Sequence, residues 1–276
     1  MRLSECIYKW GYLEDGTPKS VLILNENTPG PTTIAALAKW YMEAVDPQKA
    51  PHKHLCDETV CFVGSDWEHP EKLNGKARVY INGERFDNDR SFMIYAPKNV
   101  IHCPFIFDEI EKPLIHPAVP IMIKANTERF PEDLEGYDYN GNGQHHYAGN
   151  FITSFAWKDY VPLDGEKPVL CVDDTVLPGA FWQKIVWYTK ALDQSIVEPH
   201  TAEHDEMLMF IGSDPEKVDE LNAAVTVRVN GETETLTKSF FLFVPKGSAV
   251  ESVTIDSMER PFIFSYAIDT QDNKPL

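Results

Sequence analysis

Apolar and polar residues alternate along several short segments of the chain. In residues 77–81 (Ala-Arg-Val-Tyr-Ile) and 224–229 (Ala-Val-Thr-Val-Arg-Val) an apolar side chain recurs at every second position. This is the period of a strand with one buried face. Each segment runs directly into an Asn-Gly pair, at residues 82–83 and 230–231, which is the strongest short-range signal for a two-residue hairpin. The pattern therefore predicts short antiparallel strands joined by tight turns.

The strand pattern occurs twice because the chain repeats itself at an offset of 148 positions. Residues 51–113 match residues 199–261 without a gap, with Pro-His, Asp-Glu, Gly-Ser-Asp, Asn-Gly-Glu and Ser-Phe at corresponding places. A repeat of this length indicates a duplicated domain, since solenoid repeats have periods of about 20–50 residues. Many short strands separated by turns are typical of a sandwich or barrel. We therefore predict two all-β domains, residues 1–146 and residues 147–276.

One pair of corresponding segments gives conflicting signals. Residues 33–45 are rich in alanine and have the propensity of a helix. Residues 181–190, which correspond to them, contain Phe, Trp, Ile, Val and Tyr and favour a strand. Because duplicated domains share an architecture, both segments are predicted to be strands. Residues 117–150 have no counterpart in the second half and are interpreted as the connection between the domains, part of which can pack across a barrel mouth.

The first unit contains four candidate metal ligands. His52 and His54 are two residues apart, so on a strand their imidazoles lie on the same face. Glu58 follows across a turn or on the next strand, and His102 comes much later, on an antiparallel strand that we expect in the opposite wall. Three imidazoles and one carboxylate suit a divalent Mn, Fe, Ni, Co or Zn ion. On an octahedral ion they leave two open positions, as a substrate-binding metal requires.

The spacing of these residues resembles the two short motifs of the cupin superfamily. The first motif is His52-x-His54-x-x-x-Glu58, and the second is Pro97-x-Asn99-x-x-His102. Asn99 stands where the second motif usually has glycine, which is a mild departure because asparagine also tolerates positive φ. The resemblance covers both halves and implies a bicupin. It implies two tandem cupin barrels, each a double-stranded β-helix or jelly roll, with the metal near the centre of the N-terminal barrel.

The second half keeps the scaffold but lacks a complete ligand set. His200 and Glu206 remain, whereas Ala202 and Val250 stand where the first half has its second and third histidines. Two ligands of four are too few for a tight site, so we predict one metal ion per chain. The C-terminal barrel is expected to stabilise the first barrel or to provide an interface.

Composition and charge limit the partners. Among 276 residues, 43 Asp and Glu against 25 Lys and Arg give a formal net charge of −18, which repels nucleic-acid phosphates and anionic lipids. We expect neither partner, and the chain has no apolar run of membrane-spanning length. The N-terminus has no apolar core of signal-peptide length. The five cysteines contain no Cys-x-x-Cys pair and are interpreted as reduced thiols of a cytoplasmic protein.

The resemblance implies a metal-dependent enzyme whose small oxygenated substrate, a carboxylate, enol or phenolic compound, chelates the metal. Cupin activities include those of dioxygenases, decarboxylases, isomerases and lyases, and the four ligands do not choose among them. The alternative is a non-enzymatic binding or storage bicupin with a structural metal. The resemblance also implies a homodimer, which would cover edge strands. No general acid or base is assigned; His116 and the pair His145-His146 are candidates for proton transfer or simply solvated side chains.

Overall fold

The computed structural model describes residues 2–16, 18–19, 21–24, 34–44, 51–54, 56–120, 127–129 and 146–270. More than half of the chain forms short antiparallel strands, and the rest of the described part consists mainly of turns and loops. The elements are α1 (Leu3–Cys6), β1 (Ile7–Lys9), β2 (Val21–Leu24), β3 (Ala36–Tyr41), β4 (His52–His54), β5 (Glu58–Gly64), β6 (Lys72–Ile81), β7 (Glu84–Arg90), β8 (Phe92–Ala96), β9 (His102–Ile110), β10 (Leu114–Pro120), β11 (Thr127–Arg129), a 3-10 turn (Ala148–Asn150), β12 (Phe151–Ile152), β13 (Glu166–Val172), β14 (Trp182–Tyr188), β15 (His200–Thr201), β16 (Glu206–Gly212), β17 (Glu220–Val229), β18 (Glu232–Lys238), β19 (Phe240–Val244), β20 (Ala249–Met258) and β21 (Phe262–Ile268). Within these ranges, no helix is long and apolar enough to cross a membrane.

Each half of the chain forms a two-sheet barrel. In the first barrel the sheet order is β12-β8-β5-β10-β3-β2 in one sheet and β11-β4-β9-β6-β7 in the other. An apolar cluster that includes Phe62, Phe92 and Phe107 fills its interior. The second barrel has the orders β1-β19-β16-β21-β14-β13 and β15-β20-β17-β18, with Phe210 and Phe264 among its interior residues. The predicted all-β fold of two tandem jelly-roll barrels is confirmed.

The two six-stranded sheets pack against each other through their outer faces. A shared apolar cluster contains Trp40 and Ile115 from the first barrel and Trp187 and Met209 from the second. The central strands of these sheets are therefore buried on both faces, and every residue of β5 and of β16 is buried. This explains their continuous apolar runs, since a strand that is covered on both sides has no solvent face to keep polar.

A buried polar link crosses the contact between the barrels. The hydroxyl of Thr59 lies at hydrogen-bond distance from the side-chain oxygen of Gln183. The amide nitrogen of Gln183 donates to the hydroxyl of Ser265 at 2.9 Å. All three side chains are fully buried, so each satisfies a group that would otherwise be desolvated without a partner. The link adds directional contacts to an interface that is otherwise apolar.

The first strand of each half completes the sheet of the other half. Strand β1 pairs with β19, with Ile7 opposite Leu242. Strand β12 pairs with β8, with Phe151 opposite Ile94, and this residue of β8 corresponds to Leu242 at the offset of the sequence repeat. The exchange is thus reciprocal. The domain boundary between residues 146 and 147 stays a prediction, since strands near both domain starts lie on the partner barrel.

The repeat predicted the two ambiguous segments correctly. The alanine-rich segment forms β3 and its counterpart forms β14, because the barrel contact favours small side chains at Ala36 and Ala38. Both Asn-Gly pairs also form the expected hairpin turns. The φ angles are 47° and 81° at Asn82 and Gly83, as a type I′ turn requires.

The interpretation of residues 117–150 as a connection is corrected in part. Residues 117–120 belong to β10, which pairs with both β3 and β5, so the first barrel extends further than the repeat indicated. Strand β11 pairs with β4, the strand that carries two of the candidate ligands. Some of the connection therefore covers the edge of this sheet. Its packing across a barrel mouth stays a prediction, and residues 121–126 and 130–145 lie outside the described part of the chain.

Two equivalent glycines, Gly64 and Gly212, allow a close approach of backbone at the ends of β5 and β16. A Cβ atom on Gly64 would lie 2.1 Å from the carbonyl oxygen of Lys72, and one on Gly212 would lie 1.8 Å from that of Glu220. Both obstacles are backbone atoms of the following strand. Any larger residue therefore has to push β5 away from β6, or β16 away from β17, and in each case the second strand belongs to the other sheet of the barrel.

We expect Gly64→Ala to lower the free energy of unfolding by about 2–3 kcal/mol, the usual cost of overpacking a rigid site. Gly149→Ala is the control, since its nearest neighbour would be a side-chain carbon of Leu177 at 3.9 Å. Urea denaturation of the two variants and the wild type measures the difference. Equal stability of the two variants would contradict the close approach.

Candidate metal centre

Four side chains from three strands of the first barrel converge on one point. Strand β4 supplies His52 and His54, β5 begins at Glu58, and β9 begins at His102. The four potential ligand atoms, one from each residue, all lie within 4.8 Å of one another. Within the described ranges, no other group of three or more His, Cys, Asp or Glu side chains is placed in this way. The four residues named from the sequence lie together, and their binding of an ion stays a prediction. They are called the His/Glu cluster below.

The strand pairing brings the cluster together differently from the expectation. His102 is the direct cross-strand partner of His52, and the centroids of their rings are 4.5 Å apart. It therefore comes from the neighbouring strand of the same sheet, and the predicted position in the opposite wall was wrong. Glu58 is the residue that the other sheet contributes. The site closes because β4 and β9 lie side by side and β5 faces them.

A tight turn before β9 fixes the end of β4. The backbone N–H of Asn99, which has a φ of 64°, donates to the carbonyl oxygen of His54 at 2.7 Å. In the second barrel Gly247, with a φ of 86°, makes the same bond to Ala202 at 2.8 Å. The expectation that asparagine replaces glycine here at positive φ is confirmed. The turn ties the strand that carries His54 to the loop that leads into His102.

The short contacts within the cluster have the distances of ion pairs without the angles of hydrogen bonds. The Nε2 atoms of His54 and His102 each lie 2.9 Å from Oε2 of Glu58. All three atoms are buried, and none has a hydrogen-bond partner. The Nδ1 atom of His102 lies 3.1 Å from the carbonyl oxygen of Val100. A carbonyl only accepts, so Nδ1 carries a proton, and a neutral ring then presents the lone pair of Nε2 to the cluster. A cation held between the two Nε2 atoms and Oε2 of Glu58 would satisfy all three.

The spacing fits a first-row divalent ion. At metal–ligand distances of about 2.0–2.2 Å, neighbouring ligand atoms are about 2.8–3.1 Å apart in an octahedron and about 3.3–3.6 Å apart in a tetrahedron. The two observed separations of 2.9 Å match the edge of an octahedron. Imidazole and carboxylate donors are compatible with Mn, Fe, Ni, Co and Zn. The residues present therefore fit the metal that the sequence predicts.

Burial and the neighbouring rings act on Glu58 in opposite directions. Burial alone would raise the pKa of its carboxyl group, but the contacts with His102 and His54 outweigh it and hold the pKa well below its usual range. Glu58 is therefore a buried carboxylate. It supplies a negative charge to a centre whose other three donors are neutral when they ligate a metal.

The second barrel satisfies the equivalent carboxylate without a metal. In Glu206, Oε1 lies 2.9 Å from Nε2 of His200 in a well-aligned hydrogen bond. The other oxygen accepts a hydrogen bond from the hydroxyl of Tyr266 at 2.7 Å. Nδ1 of His200 lies 2.8 Å from the carbonyl oxygen of Glu198, so both ring nitrogens face acceptors. Burial lowers the pKa of His200, but the Glu198 carbonyl and Glu206 raise it overall. The metal motif is degenerate here, as predicted.

The tyrosine in this network was not identified from the sequence. Tyr266 lies 148 positions after Ala118, and strand pairing confirms the equivalence: Ala118 is opposite Val60, and Tyr266 is opposite Leu208. The clear match between the two halves ends at residues 113 and 261. A few more residues at the same offset would have revealed an alanine in one barrel and a tyrosine in the other.

The other candidate histidines lie apart from the ligands. The ring of His116 stacks on Phe62 with centroids 4.2 Å apart, and its Nδ1 lies 2.7 Å from the carbonyl oxygen of Cys61. His146 is exposed and lies 3.1 Å from a carboxylate oxygen of Glu84. His145 lies outside the described residues. A role of any of them in proton transfer stays a prediction.

The chain has the fold of a bicupin, and among the described residues the complete His/Glu cluster lies in the first barrel. No protein-family model and no curated protein matches the sequence. The similar solved structures include AerE from Microcystis aeruginosa (12% identity, 96% of this chain and 99% of that chain, TM-score 0.53). Vicilin from Corylus avellana (hazelnut) is 9% identical over 91% of this chain and 81% of that one, with a TM-score of 0.56.

A more distant likeness is to the salicylate 1,2-dioxygenase of Pseudoaminobacter salicylatoxidans in an adduct with gentisate. It is 11% identical over 95% of this chain and 80% of that chain, with a TM-score of 0.49, and carries no argument about function. At these identities the comparisons show the fold alone. Function has to be argued from the site.

The His200–Glu206 pair predicts a dependence of stability on pH. Because the folded state raises the pKa of His200, the pair stabilises the fold fully below the unfolded value of about 6.5. This contribution is lost as the pH rises through the folded value. We expect the difference in unfolding free energy between the wild type and His200→Gln to be largest near pH 6 and to shrink above it. Urea denaturation across this range measures it, and a difference independent of pH would contradict the pairing.

Proposed function

We propose that the first barrel is a metal-dependent catalytic centre that acts on a small oxygenated organic substrate. The observation that carries the proposal is that two buried imidazole nitrogens each lie 2.9 Å from one buried carboxylate oxygen without hydrogen-bond geometry. A carboxylate, enol or phenolic substrate would chelate the metal through its oxygens. Dioxygenase, decarboxylase, isomerase and lyase activities all agree with this donor set.

The side chains have separable roles in this proposal. The ion would be held by the four members of the cluster, His52, His54, Glu58 and His102. Once bound, it supplies Lewis acidity or, if redox-active, one-electron chemistry. The carbonyl of Val100 holds the ring of His102 in the tautomer that ligates. The carboxylate of Glu58 lowers the net charge of the centre and anchors the second sheet to it.

Metal analysis of two equivalent variants tests the ligand assignment. We expect protein purified without an affinity tag to contain one transition-metal ion per chain. His52→Ala should lose both the ion and the turnover, because it removes a donor from the cluster. His200→Ala, the equivalent change in the second barrel, should leave both unchanged. Elemental analysis and turnover of a panel of hydroxy acids and phenolics measure this. Turnover that survives removal of the metal would overturn the proposal.

The second candidate is a small-molecule binding or storage bicupin with a structural metal. One observation favours it: the side chains of His102, Glu58 and His54 are only 2%, 7% and 11% exposed, as at a closed structural site. A structural ion stabilises the fold without turning over any compound. Removal of the ion by a chelator would then lower the thermal midpoint, while the same substrate panel would give no turnover with the metal present.

Oxygen consumption separates the catalytic classes. If the protein is a dioxygenase, we expect substrate-dependent oxygen uptake and no turnover under argon, because both oxygen atoms enter the product. A lyase, isomerase or non-oxidative decarboxylase should turn over equally well under argon. An oxygen electrode and product analysis in the two atmospheres make the distinction. His52→Ala is the matched control for uptake that does not involve the site.

The remaining partner assignments are part of the same proposal. The acidic charge supports a small-molecule substrate and argues against nucleic acid and anionic membrane surfaces as partners. A homodimer follows from the resemblance to cupins, and a cytoplasmic location from the reduced cysteines. All five thiols are free, as this location would require.

A further inference from the structure

The clearest difference between the two barrels lies beside the buried carboxylate. On the strand next to Glu206, Tyr266 points into the second barrel and places its hydroxyl 2.7 Å from that carboxylate. On the strand next to Glu58, the equivalent residue is Ala118. In both barrels the residue is the diagonal neighbour of the glutamate, since Glu58 pairs with Pro120 and Glu206 pairs with Ile268. A ring in the second barrel therefore corresponds to a single methyl group in the first.

The side chain of Ala118 faces the interior of the first barrel. Its neighbours Ile115 and Val119 on β10 belong to the cluster between the barrels, whereas Leu114 belongs to the interior cluster. Successive residues of a strand alternate between the two faces, so Ala118 shares the interior face with Leu114. A ring at this position would point toward Glu58.

A second alanine stands beside the first. Leu37 and Lys184 are the cross-strand partners of Ala118 and Tyr266. Two positions before these partners stand Ala35 and Trp182, which are therefore equivalent to each other. In the second barrel the rings of Trp182 and Tyr266 meet edge to face, with centroids 5.1 Å apart.

In the second barrel, two aromatic rings thus fill the interior beside the buried glutamate. In the first barrel both positions are buried alanines. The same wall of the same fold therefore carries far less side-chain volume next to the candidate metal centre.

We propose that the small side chains of Ala118 and Ala35 allow a space of aromatic size to form beside Glu58, and that this space receives the ring of an aromatic oxygenated substrate. The inference rests on the proposed function, because the substrate's oxygens would reach the metal from this space. A planar ring with adjacent oxygen donors, such as an aromatic hydroxycarboxylate, matches the volume that Tyr266 occupies in the second barrel. Ala118 is then the residue that determines the size of the substrate.

Binding of two probes with the same donor groups tests the inference. Salicylate and glycolate each offer a hydroxyl and a carboxylate, and only salicylate has a ring. Isothermal titration of the metal-loaded protein should show tighter binding of salicylate. In Ala118→Phe we expect salicylate to bind about tenfold more weakly or worse, the scale on which a pocket discriminates by size, while glycolate binding changes little. Ala118→Val should give a smaller loss in the same direction.

The controls distinguish an effect of side-chain size at position 118 from damage to the metal site. Ala202→Val makes the same kind of change at a buried alanine of the second barrel and should leave both probes unaffected. Each variant has to keep one metal ion per chain, and Ala118→Val provides the measurement if the larger variant does not fold. Equal losses for both probes, or no loss for salicylate, would overturn the inference while leaving the metal centre intact. Absence of metal from the wild type would overturn the proposed function as well.

Discussion

Each barrel buries a carboxylate at the first position of a central strand, and neighbouring side chains compensate its negative charge. An unpaired buried carboxylate costs several kcal/mol, so a positive or hydrogen-bonding partner has to be built in. Around Glu206 the partners are the His200 ring and a phenol. Around Glu58 they are imidazoles that approach to 2.9 Å without hydrogen-bond angles. The same scaffold thus holds a self-contained hydrogen-bond network in one half and a cluster of potential metal ligands in the other.

Much of the fold could be predicted because the repeat provides two different sequences for the same strand of the domain. The alanine-rich segment around Trp40 was recognised as a strand only through the aromatic segment around Trp187. The ligands on β4 followed from the two-residue period of a strand, and the turn at Asn99 followed from its tolerance of positive φ. The inferences on the ligand spacing and on the turn depend on neighbours in sequence, for which backbone stereochemistry gives firm rules.

What could not be predicted depends on contacts between distant segments. Nothing near His102 indicates that β9 pairs with β4 rather than lying opposite it. The alternation of side chains between the two faces of a strand also fails in β9. This strand has a bulge between His102, which pairs with Ile81, and Phe105, which pairs with Val79. There Cys103, which directly follows a cluster residue, packs into the interior of the first barrel as well. A bulge shifts every later side chain to the other face, and the local sequence gives no warning of it.

The reciprocal exchange of β1 and β12 has the geometry of a twofold-symmetric dimer in which both subunits are now segments of one polypeptide. An isolated single barrel would expose the edge that its missing strand covers, and two such molecules would have to meet in solution to cover it. Covalent linkage makes that encounter intramolecular and independent of dilution. It also allows the two copies to differ in sequence. The two copies can then differ at the ligand positions, as Ala202 and Val250 differ from the histidines of the first barrel, an asymmetry that a homodimer encoded by one repeat cannot acquire.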